Sequence, residues 1–168
     1  SLFLKHEKMY KALEKAYNNY SFDQEQAAEI VEKSIDRMLA YKQKKIRHNE
    51  RISVINAGEL LTKYFGSVLK DTNLENIELL LEHNVPEVNL FGAKILLLEE
   101  MDISKLPESF MTNLIMGDSA EMRKVGMTLL GKMPEEYLTS RKSFVKKLCL
   151  SKHEEVRKAV KPIIKRLV

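Results

Sequence analysis

The chain has 168 residues, enough to bury a hydrophobic core as one domain or as a short array of repeats. With 44% apolar and 31% charged residues and a net charge of +4, its composition is that of an ordinary soluble protein. The single cysteine excludes an internal disulfide, and no apolar run reaches the ~18 residues that a membrane-spanning helix requires. Together with the lack of a secretory signal, these features predict a cytoplasmic protein.

Residues 1–49 predict two helices that form an N-terminal hairpin or cap. The first helix covers residues 2–19, where apolar side chains recur at helical spacing and two asparagines follow. Ser21 or Asp23 caps the second helix. We expect this second helix to end in a run of cations, which suits the negative end of a helix dipole. The run consists of Lys42, Lys44, Lys45 and Arg47.

Residues 50–168 carry an apolar pattern that recurs with an offset of 34 residues. Each copy has apolar or small residues at i, i+3, i+4, i+7 and i+8, which is one face of an amphipathic helix. A fixed period in this range indicates stacked helical units, and we call positions separated by this offset equivalent. The clear copies are Val88, Phe91, Gly92, Ile95 and Leu96; Met122, Val125, Gly126, Leu129 and Leu130; and Val156, Ala159, Val160, Ile163 and Ile164, with a fainter copy at Val54, Ala57, Gly58 and Leu61.

A second apolar set predicts the partner helix of each antiparallel pair. The pattern therefore predicts repeats at residues 50–83, 84–117 and 118–151 and a half repeat at 152–168. With the N-terminal hairpin, we expect an all-α chain of about nine helices and no sheet. The equivalent apolar residues of the partner helices are Ile77, Leu80 and Leu81; Met111, Leu114 and Ile115; and Val145, Leu148 and Cys149.

Capping residues, prolines and glycines refine this pattern. Pro162 lies inside the last predicted helix and should kink or loosen it. Gly58, Gly92 and Gly126 are equivalent and lie in mid-helix, where glycine costs about 1 kcal/mol against alanine, so we expect close approach of two helices there. The expected caps are Asn84, Asp118 and Ser119, Pro86 suits a first helical turn, and Pro107 and Pro134 mark starts or bends between the paired helices.

Two segments at the unit boundaries resemble HEAT repeats. Residues 117–123, Gly-Asp-Ser-Ala-Glu-Met-Arg, and residues 151–157, Ser-Lys-His-Glu-Glu-Val-Arg, open a helix with a capping residue, an acid, an aliphatic residue and an arginine, as that family does. The resemblance covers residues 84–168 well, 50–83 weakly and 1–49 only as helices. It implies a right-handed α-α superhelix, an α-solenoid, in which the second helix of each pair lines the inner surface.

The chain also departs from the HEAT pattern. The usual cap position holds Gly117 and Ser151. Asn89 stands at the position equivalent to Arg123 and Arg157, so the arginine ladder of the family is incomplete. The period is also that of tetratricopeptide repeats, which the chain resembles less because their tryptophan, small residues and closing proline are missing. Bacterial proteins with a WGR module carry similar helical regions, and the lack of a first methionine is compatible with a piece of such a larger protein.

No constellation of residues predicts catalysis, a metal or a cofactor. The histidines lack the spacing of paired metal ligands, and adjacent acids on a helix point about 100° apart and do not converge. Cys149 is equivalent to Leu81 and Ile115, so we expect a buried small hydrophobe rather than a nucleophile. A phosphate-binding glycine loop and a Ser/His/Asp signature are both lacking, and we predict a protein without enzymatic activity. The residues considered are His6, His48, His83, His153, Glu99, Glu100, Glu135 and Glu136.

Cations cluster toward the C-terminal end. From Arg141 onward ten Lys and Arg residues stand against two acids, a net charge of +8, which leaves −4 for the remainder. Such a surface is either simply solvated or binds an acidic partner or phosphates. Phosphate binding would be sequence-independent, because Phe144 is the one aromatic residue nearby. The candidate binding residues are Lys142, Lys146, Lys147, Arg157, Lys158 and Lys161, with Lys165 and Arg166 beside them.

Three functions are compatible with this pattern. A repeat without a catalytic constellation favours a non-catalytic scaffold that binds a protein with an acidic surface. Sequence-independent nucleic-acid binding through the basic end is the alternative. The third is an enzyme that resembles the HEAT-like alkylpurine DNA glycosylases, which the absence of tryptophan disfavours.

The charge of the second helices changes along the chain. Glu78, Thr112 and Lys146 are equivalent, so the change follows the repeat. If the second helices line an inner surface, it should orient a partner with its acidic part toward the C-terminal end. The non-core positions are Glu75, Glu78 and Glu82; Ser109, Thr112 and Asn113; and Lys142, Lys146 and Lys147.

Overall fold

The computed structural model describes residues 8, 11–12, 14–15, 17–18 and 21–167. This part of the chain forms ten α-helices with defined ends and one 3-10 helix, with no strand, which confirms the all-α prediction there. The described residues between 8 and 18 are also helical, whereas the rest of the helix predicted at 2–19, including His6, lies outside the described residues.

Two units divide the chain, Ser1–Met101 and Asp102–Val168. The first unit contains α1 (Gln24–Leu39), α2 (His48–Tyr64), α3 (Gly66–Leu69), α4 (Leu74–Leu81) and α5 (Pro86–Leu96). In this unit α5 packs against both α4 and α2, and α1 packs against α3 and α4.

The second unit contains the 3-10 helix (Ile103–Lys105), α6 (Glu108–Met116), α7 (Ala120–Lys132), α8 (Glu135–Ser140), α9 (Lys142–Cys149) and α10 (Glu154–Leu167). Two helix pairs, α6 with α7 and α9 with α10, pack across short turns. The pairs also contact each other, with α6 beside α9 and α7 beside α10. Equivalent helices are therefore neighbours within this unit.

The predicted start of α1 is confirmed and the predicted end is wrong. Asp23 is the N-cap, and its Oδ1 accepts a hydrogen bond of 2.8 Å from the backbone amide of Gln26. The helix ends at Leu39, so the predicted cation run lies in the following turn and Arg37 is the cation of the last helical turn. No residue from 39 to 50 is buried, so there is no packed face that would extend the helix.

The helix starts at proline are confirmed at three positions. Pro86 is the first residue of α5, and Pro107 and Pro134 are the N-caps of α6 and α8. Pro162 lies inside α10 as predicted. The short helices α3 and α8 are not evident from the sequence, because each buries only two residues and has no helical period of its own.

The equivalent apolar positions form the core. All five residues of the copy on α5 are buried. On α7 and on α10, three residues of each copy are buried and two are half-buried. The periodicity therefore identifies the inward faces of these helices. The half-buried members are Met122, Val125, Ala159 and Ile164.

Gly92 and Gly126 lie at close helix contacts. A Cβ on Gly92 would stand 2.9 Å from the Cβ of Leu80, and one on Gly126 would stand 2.7 Å from Cγ1 of Ile115. Both distances are shorter than a carbon–carbon contact allows. The predicted close approach is confirmed for α4 with α5 and for α6 with α7. A Cβ on Gly58 would stand 3.1 Å from Cδ2 of Phe91 on α5, which is a looser approach.

Candidate interaction surface

Three equivalent residues make the same contact at the turns before α5, α7 and α10. Asn89 donates from Nδ2 to the carbonyl of His83 at 2.7 Å. Arg123 donates from Nη1 to the carbonyl of Gly117 at 2.9 Å, and Arg157 from Nη1 to the carbonyl of Ser151 at 2.6 Å. In each case the acceptor lies six residues earlier. The side-chain amide of Asn89 thus makes the contact that Arg123 and Arg157 make at the equivalent positions.

The caps at these turns differ from the prediction in part. Ser119 caps α7 by accepting from the backbone amide of Met122 at 3.3 Å, as expected. Asn84 does not cap α5, whose N-cap is Val85 without a side-chain hydrogen bond. Asp118 does not cap α7 and instead pairs with Nζ of Lys152 at 3.0 Å.

The described histidines have no common site. His83 accepts from the amide of Val85 at 3.1 Å through Nδ1, and its Nε2 lies 3.3 Å from the carbonyl of Leu39. His48 is exposed in the first turn of α2, and His153 is half-buried in the turn before α10. Within the described residues no group of three His, Cys, Asp or Glu side chains is placed to hold a metal ion.

The lysines of α9 form an exposed row opposite its buried side. Phe144, Val145 and Leu148 are buried. Nζ of Lys147 lies 3.6 Å from Oε1 of Glu108 on α6. The other two lysines form no ion pair with any residue that the structure describes. We call the three exposed lysines the α9 row: Lys142, Lys146 and Lys147.

The cations of α10 form a second group, along a groove that the sequence does not reveal. The groove has a volume of about 410 Å³, and we call it the α10 groove. Arg157, Lys158 and Lys161 are exposed, and Nζ of Lys158 pairs with Glu154 at 2.8 Å. The structure thus divides the six predicted residues between the α9 row and the α10 groove. The groove is lined by Cys149, Glu154, Arg157, Lys158, Lys161 and Ile164.

Cys149 is half-buried at the edge of the α10 groove, which corrects the prediction that it is buried. Its Sγ donates to the carbonyl of Val145, 3.1 Å away. The equivalent Ile115 is covered by its neighbours and is 0% exposed. The difference arises because no helix in the described part of the chain lies over the α9–α10 pair at that position.

Among the described residues of the second unit, three ion pairs join the helix pairs: Glu108 with Lys147, Asp118 with Lys152, and Arg123 with Glu155. Oε1 of Glu155 lies 2.9 Å from Nη2 of Arg123, which is 8% exposed. Hydrogen bonds from its own backbone and from Arg123 lower the pKa of Glu155. The hydrogen bond from Lys152 likewise lowers the pKa of Asp118. These carboxylates therefore favour the contact between the pairs while they are ionised.

The second helices carry the charges that the sequence indicates. In the first unit Glu75, Glu78 and Glu82 are exposed on and just after α4. In the second unit Ser109 and Asn113 are exposed on α6. Thr112 is half-buried on the same helix, and its hydroxyl donates to the carbonyl of Glu108 at 2.8 Å.

Among the described helices, none combines the length and the apolar character of a membrane-spanning segment. Comparison of the chain with protein-family models, curated proteins and solved structures finds no match. The geometry of its own residues is therefore the basis for a functional proposal.

Proposed function

We propose that the chain is a non-catalytic scaffold of the α-solenoid type, a right-handed array of helix pairs that binds another protein. The equivalent contacts of Asn89, Arg123 and Arg157 support this proposal, because copies of one building block should make the same turn. The packing of equivalent helices side by side in the second unit supports it as well. Both features accord with the resemblance to HEAT repeats.

The observation that carries the binding role is the α9 row. Lys142 and Lys146 are one helical turn apart and exposed, and the described residues offer them no carboxylate. Two neighbouring cations without an ion-pair partner produce a positive potential that attracts an acidic surface and orients it. The partner is thus a protein with an acidic patch.

We further propose that charge on the second helices orients the partner. Within the second unit the exposed positions change from neutral on α6, at Ser109 and Asn113, to basic on the α9 row. A partner bound along α6 and α9 would place its acidic part on the lysines, because complementary charge sets the register and speeds association. The acids of α4 extend this order in the sequence, since Glu78 is equivalent to Thr112 and Lys146.

The experiment begins with capture of the partner from the native host and its identification by mass spectrometry. The purified pair is then measured by biolayer interferometry at two salt concentrations. We expect the variant that carries Lys142→Glu, Lys146→Glu and Lys147→Glu to associate more slowly and with little salt dependence. Unchanged association of a correctly folded triple variant would show that the α9 row is not the binding surface.

A matched control lies in the turn between α1 and α2. Lys42, Lys44 and Lys45 are exposed there, and their replacement by glutamate changes the net charge by the same amount. This control should retain the association rate of the wild type. An equal loss in both variants would assign the effect to net charge rather than to the α9 row.

Sequence-independent nucleic-acid binding is the second candidate, and the three cations of the α10 groove favour it. Contacts to phosphates make binding fall steeply with salt. A gel shift with duplex DNA at two salt concentrations tests this candidate. Absence of binding at low salt removes it.

A further inference from the structure

The two helix pairs of the second unit present the same side in two different environments. Ile115 and Leu130 of the α6–α7 pair are 0% and 1% exposed. Their equivalents on the α9–α10 pair, Cys149 and Ile164, are half-buried and line the α10 groove. Among the described residues, this side is therefore covered in one copy and open in the other.

The surroundings of Ile115 and Leu130 indicate which kind of occupant fits this side of a helix pair. Helix α10 lies against α7, and its Glu155 is 2.9 Å from Arg123. The covering element is thus the α9–α10 pair, in which α9 lies beside α6 and the amphipathic helix α10 places a carboxylate on the arginine. Arg157, which is equivalent to Arg123, is exposed and meets no carboxylate among the described residues.

The open copy is more basic than the covered one. Lys161 stands at the position equivalent to Met127, and both Lys158 and Lys161 are exposed on the α10 groove. Glu154 pairs with Lys158 at the surface, where an ion pair contributes little. An occupant of the α10 groove therefore needs more carboxylates than α10 itself supplies to α7.

We propose that the α10 groove docks an acidic amphipathic helix of a partner protein. Its apolar stripe covers Cys149 and Ile164, and its carboxylates face Arg157 and Lys161. The inference rests on the proposed scaffold function and names the kind of partner segment that the groove takes.

The apolar floor of the groove favours a helix over a nucleic acid. The thiol of Cys149 already donates to the carbonyl of Val145, and Ile164 is apolar, so neither side chain offers a donor to phosphate. The apolar side of a helix, in contrast, gains free energy by covering them. Nucleic-acid binding therefore becomes an alternative outcome of the test below.

The probe is a fluorescent peptide of residues 152–167 with an outward-facing hydrocarbon staple, so that helix formation does not limit binding. It keeps Glu155 and the apolar stripe, and the acidic version carries Lys158→Glu, Lys161→Glu, Pro162→Ala and Lys165→Glu. One control peptide has the same composition in scrambled order. The other carries only Pro162→Ala and remains basic.

Fluorescence anisotropy with the full chain measures the affinity. We expect a dissociation constant of about 10–100 µM for the acidic peptide, as is typical of a small interface. Each control peptide should bind at least about tenfold more weakly, since one lacks the apolar stripe and the other the charge. Failure of the acidic peptide to bind at ~1 mM, or equal binding of the scrambled peptide, would overturn the proposal. Equal binding of the basic peptide would also overturn it and would indicate a second copy of the chain as the occupant.

Variants of the chain locate the site. Lys158→Glu with Lys161→Glu should weaken binding of the acidic peptide at least about tenfold, because both residues are exposed on the groove. Lys42→Glu with Lys44→Glu, in the turn between α1 and α2, should leave it unchanged, since these exposed residues belong to neither proposed surface. Equal weakening by this control variant contradicts the docking site. The docking site is also contradicted if the peptide does not bind and duplex DNA binds in a way that depends on Lys158 and Lys161.

The two proposals fail in different measurements. The α9-row variant is the one with Lys142→Glu, Lys146→Glu and Lys147→Glu. If it associates normally with the captured partner, the proposed function loses its binding surface. That outcome does not affect the peptide measurement on the α10 groove. If the acidic peptide does not bind while the α9-row variant slows association, the docking site is wrong and the proposed function stands.

Discussion

Gly126 lies against Ile115 so closely that a Cβ on the glycine would stand 2.7 Å from Cγ1 and 3.1 Å from the backbone nitrogen of Ile115. The side chain of Ile115 can rotate, but its backbone belongs to α6 and moves only with that helix. The glycine therefore sets the distance between α6 and α7.

Replacement of Gly126 by alanine should destabilise the chain. We expect a loss of about 1–3 kcal/mol in the free energy of unfolding, because the added methyl group overpacks a contact between two helices. Urea denaturation measures this loss. Gly131→Ala is the matched control on the same helix, since nothing lies within 4 Å of its Cβ position. The control should gain up to about 1 kcal/mol in helix propensity, and a stabilised Gly126→Ala would contradict the close contact.

Asn89→Ala should reveal how much the turn contact contributes to stability. The side-chain amide lies within hydrogen-bond distance of the carbonyls of Leu80, Leu81 and His83, and its loss leaves these acceptors short of a partner. We expect a cost of about 1–2 kcal/mol by urea denaturation. Asn89→Asp should cost more, because a carboxylate repels the same carbonyls. Asn113→Ala, at an exposed position of α6, should change stability by less than about 0.5 kcal/mol.

Glu155→Gln should destabilise the chain at neutral pH and lose its effect in acid. The pKa of Glu155 is lowered in the folded chain, so its contribution is present above the ordinary value of 4.5. The contribution disappears as the pH falls through the lower pKa of the folded state. Urea denaturation of wild type and variant from pH 7 to pH 3 should therefore give free energies of unfolding that converge. A constant difference would show that ionisation of Glu155 is not responsible.

Asp23→Ala should remove the cap of α1 at a cost of about 1 kcal/mol. Ser21 is the other candidate from the sequence, and Ser21→Ala should have little effect because the hydrogen bond to the amide of Gln26 is accepted by Asp23. Thermal denaturation followed by circular dichroism compares the two. A larger loss for Ser21→Ala would reverse the assignment of the cap.

The inward faces of α5, α7 and α10 are predictable from the sequence because burial requires a stripe of apolar residues, and the copies that contain Phe91, Leu129 and Val160 each have such a stripe. The role of Asn89 is not predictable, since it depends on the direction of three backbone carbonyls. The α10 groove escapes prediction for a similar reason. It depends on which helix covers which side, and periodicity within one helix does not specify that neighbour.

The pairing of Gly126 with Ile115 has a consequence for engineering the chain. On the α9–α10 pair the equivalent residues are Val160 and Cys149, so a larger residue on α10 coincides with a smaller one on α9. The two helix pairs are not interchangeable modules. An array rebuilt from a consensus of these pairs would have to transplant both positions together, because a valine opposite an isoleucine would force the helices apart.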